Sequence, residues 1–262
     1  MGTGPTLKET PLFNRFFAAA IGCALLFGIA APFDSAVLGT VSVNAAETSP
    51  TDVPDLKIGT QSVNKILFIG NSITRHGPAP KIGWTGNWGM AATSEENDYV
   101  HLLLERITQA AGGKPQAMIK NVATFERSLT DYDIKEELKQ ELAFNPDLIV
   151  VAIGENAVSP ATDEAKAEFA TAFANLFTEL TKQGKPTLFV RSSFWHHAEK
   201  DNLMKQACEN AGGVFIDISD LDQNPANFAR AEQQIEHAGV AAHPGDKGMQ
   251  AIADAIWSKL QN

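Results

Sequence analysis

From Lys65 onward the chain alternates short apolar runs with longer segments in which apolar side chains return at helical spacing. The runs Ile66 to Ile69, Ala117 to Lys120, Leu148 to Ile153, Thr187 to Val190 and Val214 to Ile218 are each bounded by Gly, Pro, Asn or Asp, and read as strands. Tyr99 to Ala111 carries Val100, Leu103, Leu104 and Ile107 on one face and stops at Gly112-Gly113, a usual helix end. Glu164 to Lys182 places Phe169, Ala172, Phe173, Leu176, Phe177 and Leu180 at helical spacing and opens with Asp163 and Glu164, where the helix dipole favours acids. Asn202 to Ala211 and Asp246 to Leu260 complete the helical set. Strands that alternate with helices of this length need right-handed crossovers, which build a parallel sheet covered on both faces. The pattern predicts an α/β fold, a three-layer α/β/α sandwich with a five-stranded parallel sheet of flavodoxin-like type.

Before Lys65 the pattern changes. Lys8 and Arg15 precede an apolar run from Phe16 to Phe33, and Val43-Asn44-Ala45 supplies small residues at signal-peptidase spacing. Residues 1–45 therefore read as a signal peptide, cut after Ala45 or Ala46, and the expected location is periplasmic or secreted. A retained membrane anchor is the alternative, but the run contains Gly22, Gly28 and Pro32 and falls just short of the ~20 residues a bilayer span needs. Ala20-Ile21-Gly22-Cys23 departs from a lipoprotein signal, with Ala three before the cysteine. Residues 46–64 are mostly polar, with Pro50 and Pro54, and are expected to be a tether, leaving 65–262 as one domain.

With 262 residues, 44% of them hydrophobic, the chain can bury a sizeable core. The net charge of −10 lies wholly beyond the leader, where Lys8 and Arg15 cancel Glu9 and Asp34. So acidic a chain has no electrostatic footing on nucleic acid or anionic lipid, so neither is an expected partner, nor is stable membrane association after leader cleavage. Cleavage also leaves Cys208 as the sole cysteine, which excludes an intramolecular disulfide and any cysteine-based zinc site.

The strand from Lys65 stops abruptly at Gly70 and presents Ser72 just past its carboxyl end, where open α/β sheets place their chemistry. Gly154-Glu155-Asn156 follows a second apolar strand, and His243-Pro244 precedes the last helix. A nucleophile, a base and an amide able to receive an oxyanion are thus available, the set that a serine hydrolase needs. Each has a plain structural reading as well: a strand-end serine can cap its turn, Asn156 can be a turn residue, and a histidine can cap a helix. Gly70-Asn71-Ser72 lacks the further glycines and the lysine of a phosphate loop.

The connection Arg75 to Asn97 is far longer than the usual ~2–6 residues and leaves directly from the serine, so it is expected to shape the substrate pocket. Its Trp84 and Trp88 are candidate substrate contacts, together with Trp195 after the fourth strand and Glu155; the loop tryptophans can equally anchor the loop to the body. His76, His196 and His197 lack the spacing and the carboxylate of a metal site, so neither metal nor cofactor is expected.

Taken in order, these residues resemble the SGNH or GDSL hydrolases, a family named for Ser, Gly, Asn and His in four blocks. The first block falls on Gly70-Asn71-Ser72-Ile73-Thr74, with Asn71 where Asp is usual, the third on Gly154-Glu155-Asn156 and the last on His243-Pro244. The resemblance spans about Lys65 to Leu260. It implies the SGNH hydrolase fold, Ser72 as nucleophile, His243 as base, and Asn156 Nδ2 with the backbone N–H groups of Ser72 and Ala123 as oxyanion donors. Two positions depart from the family. Asn121-Val122-Ala123 has alanine where the second block has glycine, and a backbone donor survives there only if the local φ is not positive. The acid usually found three residues before the histidine is here Val240, or Ala238 with an insertion allowed for. Glu126, Glu155, Glu236, Asp246 and a backbone carbonyl are the groups that could orient His243, and the third member stays unassigned.

The resemblance, the leader and the aromatic loop lead to an expected exported serine esterase that removes O-acetyl or another short acyl group from a carbohydrate. A lipase or thioesterase acting on long acyl chains, a carbohydrate acyltransferase, and an inactive carbohydrate-binding relative are the alternatives.

Overall fold

Alternation along the first long strand decides the layering. β1 (Lys65–Gly70) sends Ile66 and Phe68 into one hydrophobic layer and Leu67 and Ile69 into the other, and all four are buried. The computed structural model describes residues 55–261. In it β1 pairs in parallel with β2 (Gln116–Asn121) on one side and β3 (Leu148–Ala152) on the other. β4 (Thr187–Arg191) and β5 (Val214–Ile216) extend the sheet in the order β2-β1-β3-β4-β5. The helices that matter to the site and the core are α1 (Tyr99–Ala111), α2 (Ala123–Arg127), α3 (Asp163–Thr181), α4 (Ala198–Asn210), α5 (Ala238–Ala241) and α6 (Asp246–Leu260).

One face of the sheet is covered by α1 and α6 through Val100, Leu103, Ile107, Met249, Ile252 and Ile256. The other is covered by α3 and α4 through Phe169, Phe173, Phe177, Met204 and Cys208. This is the three-layer α/β/α sandwich that the hydrophobic pattern predicts, with a five-stranded parallel sheet at its centre. Burial of Cys208 pushes its thiol up to about 12, so it is a core residue with no nucleophilic character at neutral pH. A third, smaller apolar cluster gathers Trp84, Met90, Ala91, Ala229 and Val240 beneath the long connection after β1.

Two stretches differ from the sequence expectation. Residues 55–64, read as the end of a tether, include an antiparallel hairpin pairing Lys57–Ile58 with Gln61–Ser62. Leu56, Ile58 and Val63 supply enough apolar surface to seat this segment on the α1 side of the core. α4 starts at Ala198 rather than Asn202, because His197 Nδ1 accepts the Lys200 N–H as an N-cap at 3.4 Å. The signal peptide expected over residues 1–45 lies outside the described residues, as do residues 46–54. Among the described residues no helix is long and apolar enough to cross a membrane.

Candidate active site

Strand register assembles the site. Gly70 on β1 stands opposite Asn121 on β2 and Ala152 on β3, so Ser72, Ala123 and Gly154 leave the sheet at the same level. β1 is also where successive connections go to opposite sides, the switch point at which open α/β sheets form a crevice.

Past β1 the chain turns sharply. The N–H groups of Thr74 and Arg75 donate to the Asn71 carbonyl at 3.1 and 2.9 Å, and Asn71 Oδ1 accepts from the Ile73 N–H at 3.1 Å. Glycine is needed at position 70 because a Cβ would overlap the Thr74 side chain, whose hydroxyl is bonded to the Tyr99 hydroxyl at 2.7 Å. Ser72 is left half-buried at the tip, its carbonyl accepting from the Met90 N–H at 2.8 Å.

Ser72 Oγ lies 2.9 Å from His243 Nε2, and His243 Nδ1 lies 2.7 Å from the Gly239 carbonyl oxygen. A carbonyl oxygen can only accept, so Nδ1 carries the proton and Nε2 offers its lone pair to the serine hydroxyl. The one-turn helix α5 explains this partner. A helix that short leaves carbonyls without N–H partners, and the His243 N–H turns back to Val240 O at 3.0 Å, leaving Gly239 O to the imidazole of the same residue. Trp195 presents its ring edge-on to the imidazole, centroids 5.2 Å apart, while its Nε1 donates to Ala242 O at 3.2 Å. Burial holds the His243 pKa below 6.5, outweighing the Gly239 hydrogen bond and the Glu155 charge, so the imidazole is neutral at pH 7.

No carboxylate among the described residues bonds that ring. Asp246 accepts instead from the Thr93 N–H at 2.8 Å, the Thr93 hydroxyl at 2.6 Å and Asn97 Nδ2 at 3.0 Å, and Glu236 is exposed.

Glu126 and Glu155 lie in a buried network behind the site. Glu126 Oε1 accepts from the Gly154 N–H at 2.6 Å, the Asn156 N–H at 3.0 Å and Asn71 Nδ2 at 3.3 Å, while Oε2 accepts from Asn156 Nδ2 at 2.8 Å. Burial and the Glu155 charge raise the Glu126 pKa, and the hydrogen bonds from Asn156 and Gly154 oppose them. All four partners are N–H donors, the coordination of an ionised carboxylate. Gly154 has φ +123°, and a Cβ there would strike Ser193 Oγ and Met204, so the turn requires glycine. Glu155 is bonded to Arg191 at 2.6 Å, to the Phe194 N–H at 2.8 Å and to Asn71 Nδ2 at 2.6 Å. Burial works against its ionisation, but Arg191 and these donors hold it below the ordinary carboxylate value.

A cavity of about 380 Å³ opens at the serine, lined by Ser72, His76, Met90, Asn121, Ala123, Thr124, Arg127, Asn156 and His243. It brings together the four residues expected to be catalytic. Ala123 does not have a positive φ, and its N–H is present but donates to Asn121 Oδ1 at 2.9 Å. The residues expected to touch substrate are placed differently. Glu155 is sealed against Arg191, and Trp195 stands behind the His243 ring. Trp84 and Trp88 pack edge to face at 5.5 Å, with their Nε1 groups donating to His76 O and Ala92 O. His76 and Met90 are the members of that long connection that line the cavity. His196 is paired with Asp201, and no group of His, Cys, Asp and Glu among the described residues is arranged to hold a metal ion.

Sequence reasoning missed the Gly239 carbonyl as the specific partner of His243, the hold of Glu126 on Asn156, and Arg127 at the cavity rim. The Asn at position 71, where the family resemblance leads one to expect Asp, was the available signal for the second, since an amide there suits a site already holding acids.

No family model matches the chain, and no curated protein matches it in sequence. Solved structures do match. A lipase/acylhydrolase from Enterococcus faecalis is 16% identical with a TM-score of 0.50, over 76% of this chain and 95% of that one. A protein from Lactobacillus plantarum is 14% identical with a TM-score of 0.50, over 76% and 96% of the two chains. A family two carbohydrate esterase from Cellvibrio japonicus is 16% identical with a TM-score of 0.46, over 76% of this chain and 60% of that one. The chain shares its fold with the lipase/acylhydrolase structure from Enterococcus faecalis. At these identities the likeness is one of fold, and it is the Ser72–His243 pair that supports a serine-hydrolase type of function.

Proposed function

We propose that the chain is an exported serine esterase that removes a short acyl group, O-acetyl in the first instance, from a carbohydrate. The observation that carries this reading is the contact of Ser72 Oγ with His243 Nε2 at 2.9 Å, with the tautomer fixed by Gly239. Ser72 attacks the ester carbonyl as its proton passes to Nε2, and the imidazolium then returns that proton to the leaving alcohol. Water, deprotonated by the same nitrogen, releases the acyl group and restores the serine. The developing oxyanion takes the second hydrogen of Asn156 Nδ2, the first being held by Glu126, and the Ser72 N–H. The Ala123 N–H, engaged by Asn121, is the weaker third donor.

A long acyl chain would need a predominantly apolar channel, whereas this cavity mixes polar side chains with Met90 and Ala123 and presents polar and apolar surface in about equal parts. It also continues. Arg127 is shared with a second hollow of about 290 Å³ between residues 127–131 and 158–160, which shares Leu129, Thr130 and Glu168 with a third of about 420 Å³ against α3. Thr130, Asp131, Ser159 and Glu168 beside Leu129 and Val158 suit the hydroxyls and apolar faces of further neutral sugar units.

The test compares nitrophenyl acetate, butyrate and octanoate, then acetate release from O-acetylated neutral oligosaccharides running from mono- to octasaccharide. Acetate is expected to be favoured, kcat/KM to rise with sugar length, and Ser72→Ala to lose at least about 10⁴-fold in kcat. A preference for octanoate with no effect of sugar length replaces this reading with a long-chain acyl hydrolase. Full activity in S72A removes the serine mechanism.

A further inference from the structure

Glu126 is 1% exposed, and the hydrogen bonds of its carboxylate run to the two turns that form the site. Two donors are the backbone N–H groups of Gly154 and Asn156, a third is the Asn156 amide, and the fourth is the amide of Asn71, the residue before the nucleophile. A primary amide has two hydrogens. On Asn156 one goes to Glu126 Oε2 at 2.8 Å, while Oδ1 accepts from Arg127 at 3.1 Å, so the amide plane is fixed and one hydrogen is left for the cavity that Asn156 lines.

The same turn is held from its other edge by buried Lys200, whose Nζ donates to the Gly154 and Ala157 carbonyls at 2.8 and 3.0 Å. A buried anion thus grips the N–H side of the turn and a buried cation its carbonyl side. Ionised groups are costly to bury, and an apolar pair would pack a loop without that cost; what charges add is direction. A carboxylate beside an oxyanion site opposes the negative charge that develops there, so any benefit from Glu126 must pass through the amide it orients.

We infer that Glu126 is the positioning residue of the oxyanion site, holding the Asn156 amide in register with Ser72. The inference rests on the esterase reading above and assigns to a residue outside the cavity the geometry of the donor inside it.

The experiment is a double-mutant cycle on the full-length protein, read as kcat and KM for nitrophenyl acetate, with S72A as the zero. Asn156→Ala is expected to lower kcat on the order of 10²–10³-fold. Glu126→Gln is expected to lower kcat about tenfold or more with KM little changed, the scale on which outer partners support a ligand. The N156A/E126Q double variant is expected to fall no further than N156A alone. If E126Q lowers kcat by the same factor in both backgrounds, the assignment is overturned, because a merely structural carboxylate acts whatever stands at position 156. Undiminished kcat in E126Q also overturns it. If E126Q fails to fold, Glu126→Asp, which keeps the charge but withdraws it by one methylene, enters the cycle under the same criterion. A wild-type rate equal to that of S72A removes the esterase reading and this inference with it, whereas an additive cycle on an active enzyme removes only the inference.

Discussion

The Nδ1–H of His243 donates to the carbonyl oxygen of Gly239 at 2.7 Å, so the imidazole is oriented by backbone where the family resemblance leads one to expect a carboxylate. In serine proteases removal of the orienting acid costs on the order of 10⁴ in turnover, chiefly because the wrong tautomer faces the serine. Here a group that can only accept enforces the right tautomer, and there is no side chain to delete. Asp246→Asn is therefore expected to keep kcat within about twofold, while losing about 1 kcal/mol of stability as its bonds to Thr93 and Asn97 weaken. Steady-state kinetics and denaturant unfolding of the one variant check both halves. A fall in kcat of a hundredfold would place a carboxylate in the proton path after all.

The pH dependence follows from the burial of the same ring. The His243 pKa lies below 6.5, so kcat/KM is expected to hold level through neutral pH and to fall only on the acid side of 6.5. Stability moves with the same sign. The unfolded chain protonates this histidine near 6.5 and the folded chain only lower, so the contribution is complete above 6.5 and is lost as pH drops through the folded value. A pH–rate profile whose acid limb lies above 6.5 contradicts this. Unfolding measured across the same range, beside a His243→Gln variant with a flatter profile, checks the stability half.

Among the described residues Asn71 is the one side-chain amide that serves both buried acids, giving one hydrogen to Glu155 at 2.6 Å and the other to Glu126 at 3.3 Å. Asn71→Asp introduces the residue that the family resemblance leads one to expect, yet in this chain it removes both donors and sets a third carboxylate between two others. The variant is expected to lose at least about 2 kcal/mol near neutral pH, from the unpaired acceptors and the added repulsion. The deficit should narrow as pH falls and one of the three acids takes a proton, which urea unfolding at two pH values would show. A variant as stable as the wild type at neutral pH would mean that a cation or water already compensates the pair.

The five strands and the long helices are legible in the sequence because a sheet covered on both faces must be apolar at consecutive positions, while a covering helix must be apolar at every third or fourth. Ser72 and His243 stand out because a strand end beside a switch point and a turn before a terminal helix are places where side chains meet. Gly239 could not be picked out, because every residue has a carbonyl and only the one-turn length of α5 frees this one. Glu126, between Phe125 and Arg127, has the appearance of a helix surface acid; its burial is decided by the Gly154 turn, which lies 28 residues further along the chain. The tryptophans of the long connection carry the same sequence signal whether they face sugar or core, and here Trp84 is 8% exposed and faces core.

The wall that those tryptophans build has an interior of its own, in which Trp84 packs with Met90, Ala91, Ala229 and Val240. On the esterase reading, a wall braced in this way is expected to keep its shape when the cavity is empty, so that a substrate entering beside Met90 would meet a finished surface and need not organise one. Selectivity on that side would then be rigid. It would be set by what the standing cavity rejects, and altering it would mean rebuilding the small apolar interior behind the wall as well as the face that the substrate meets.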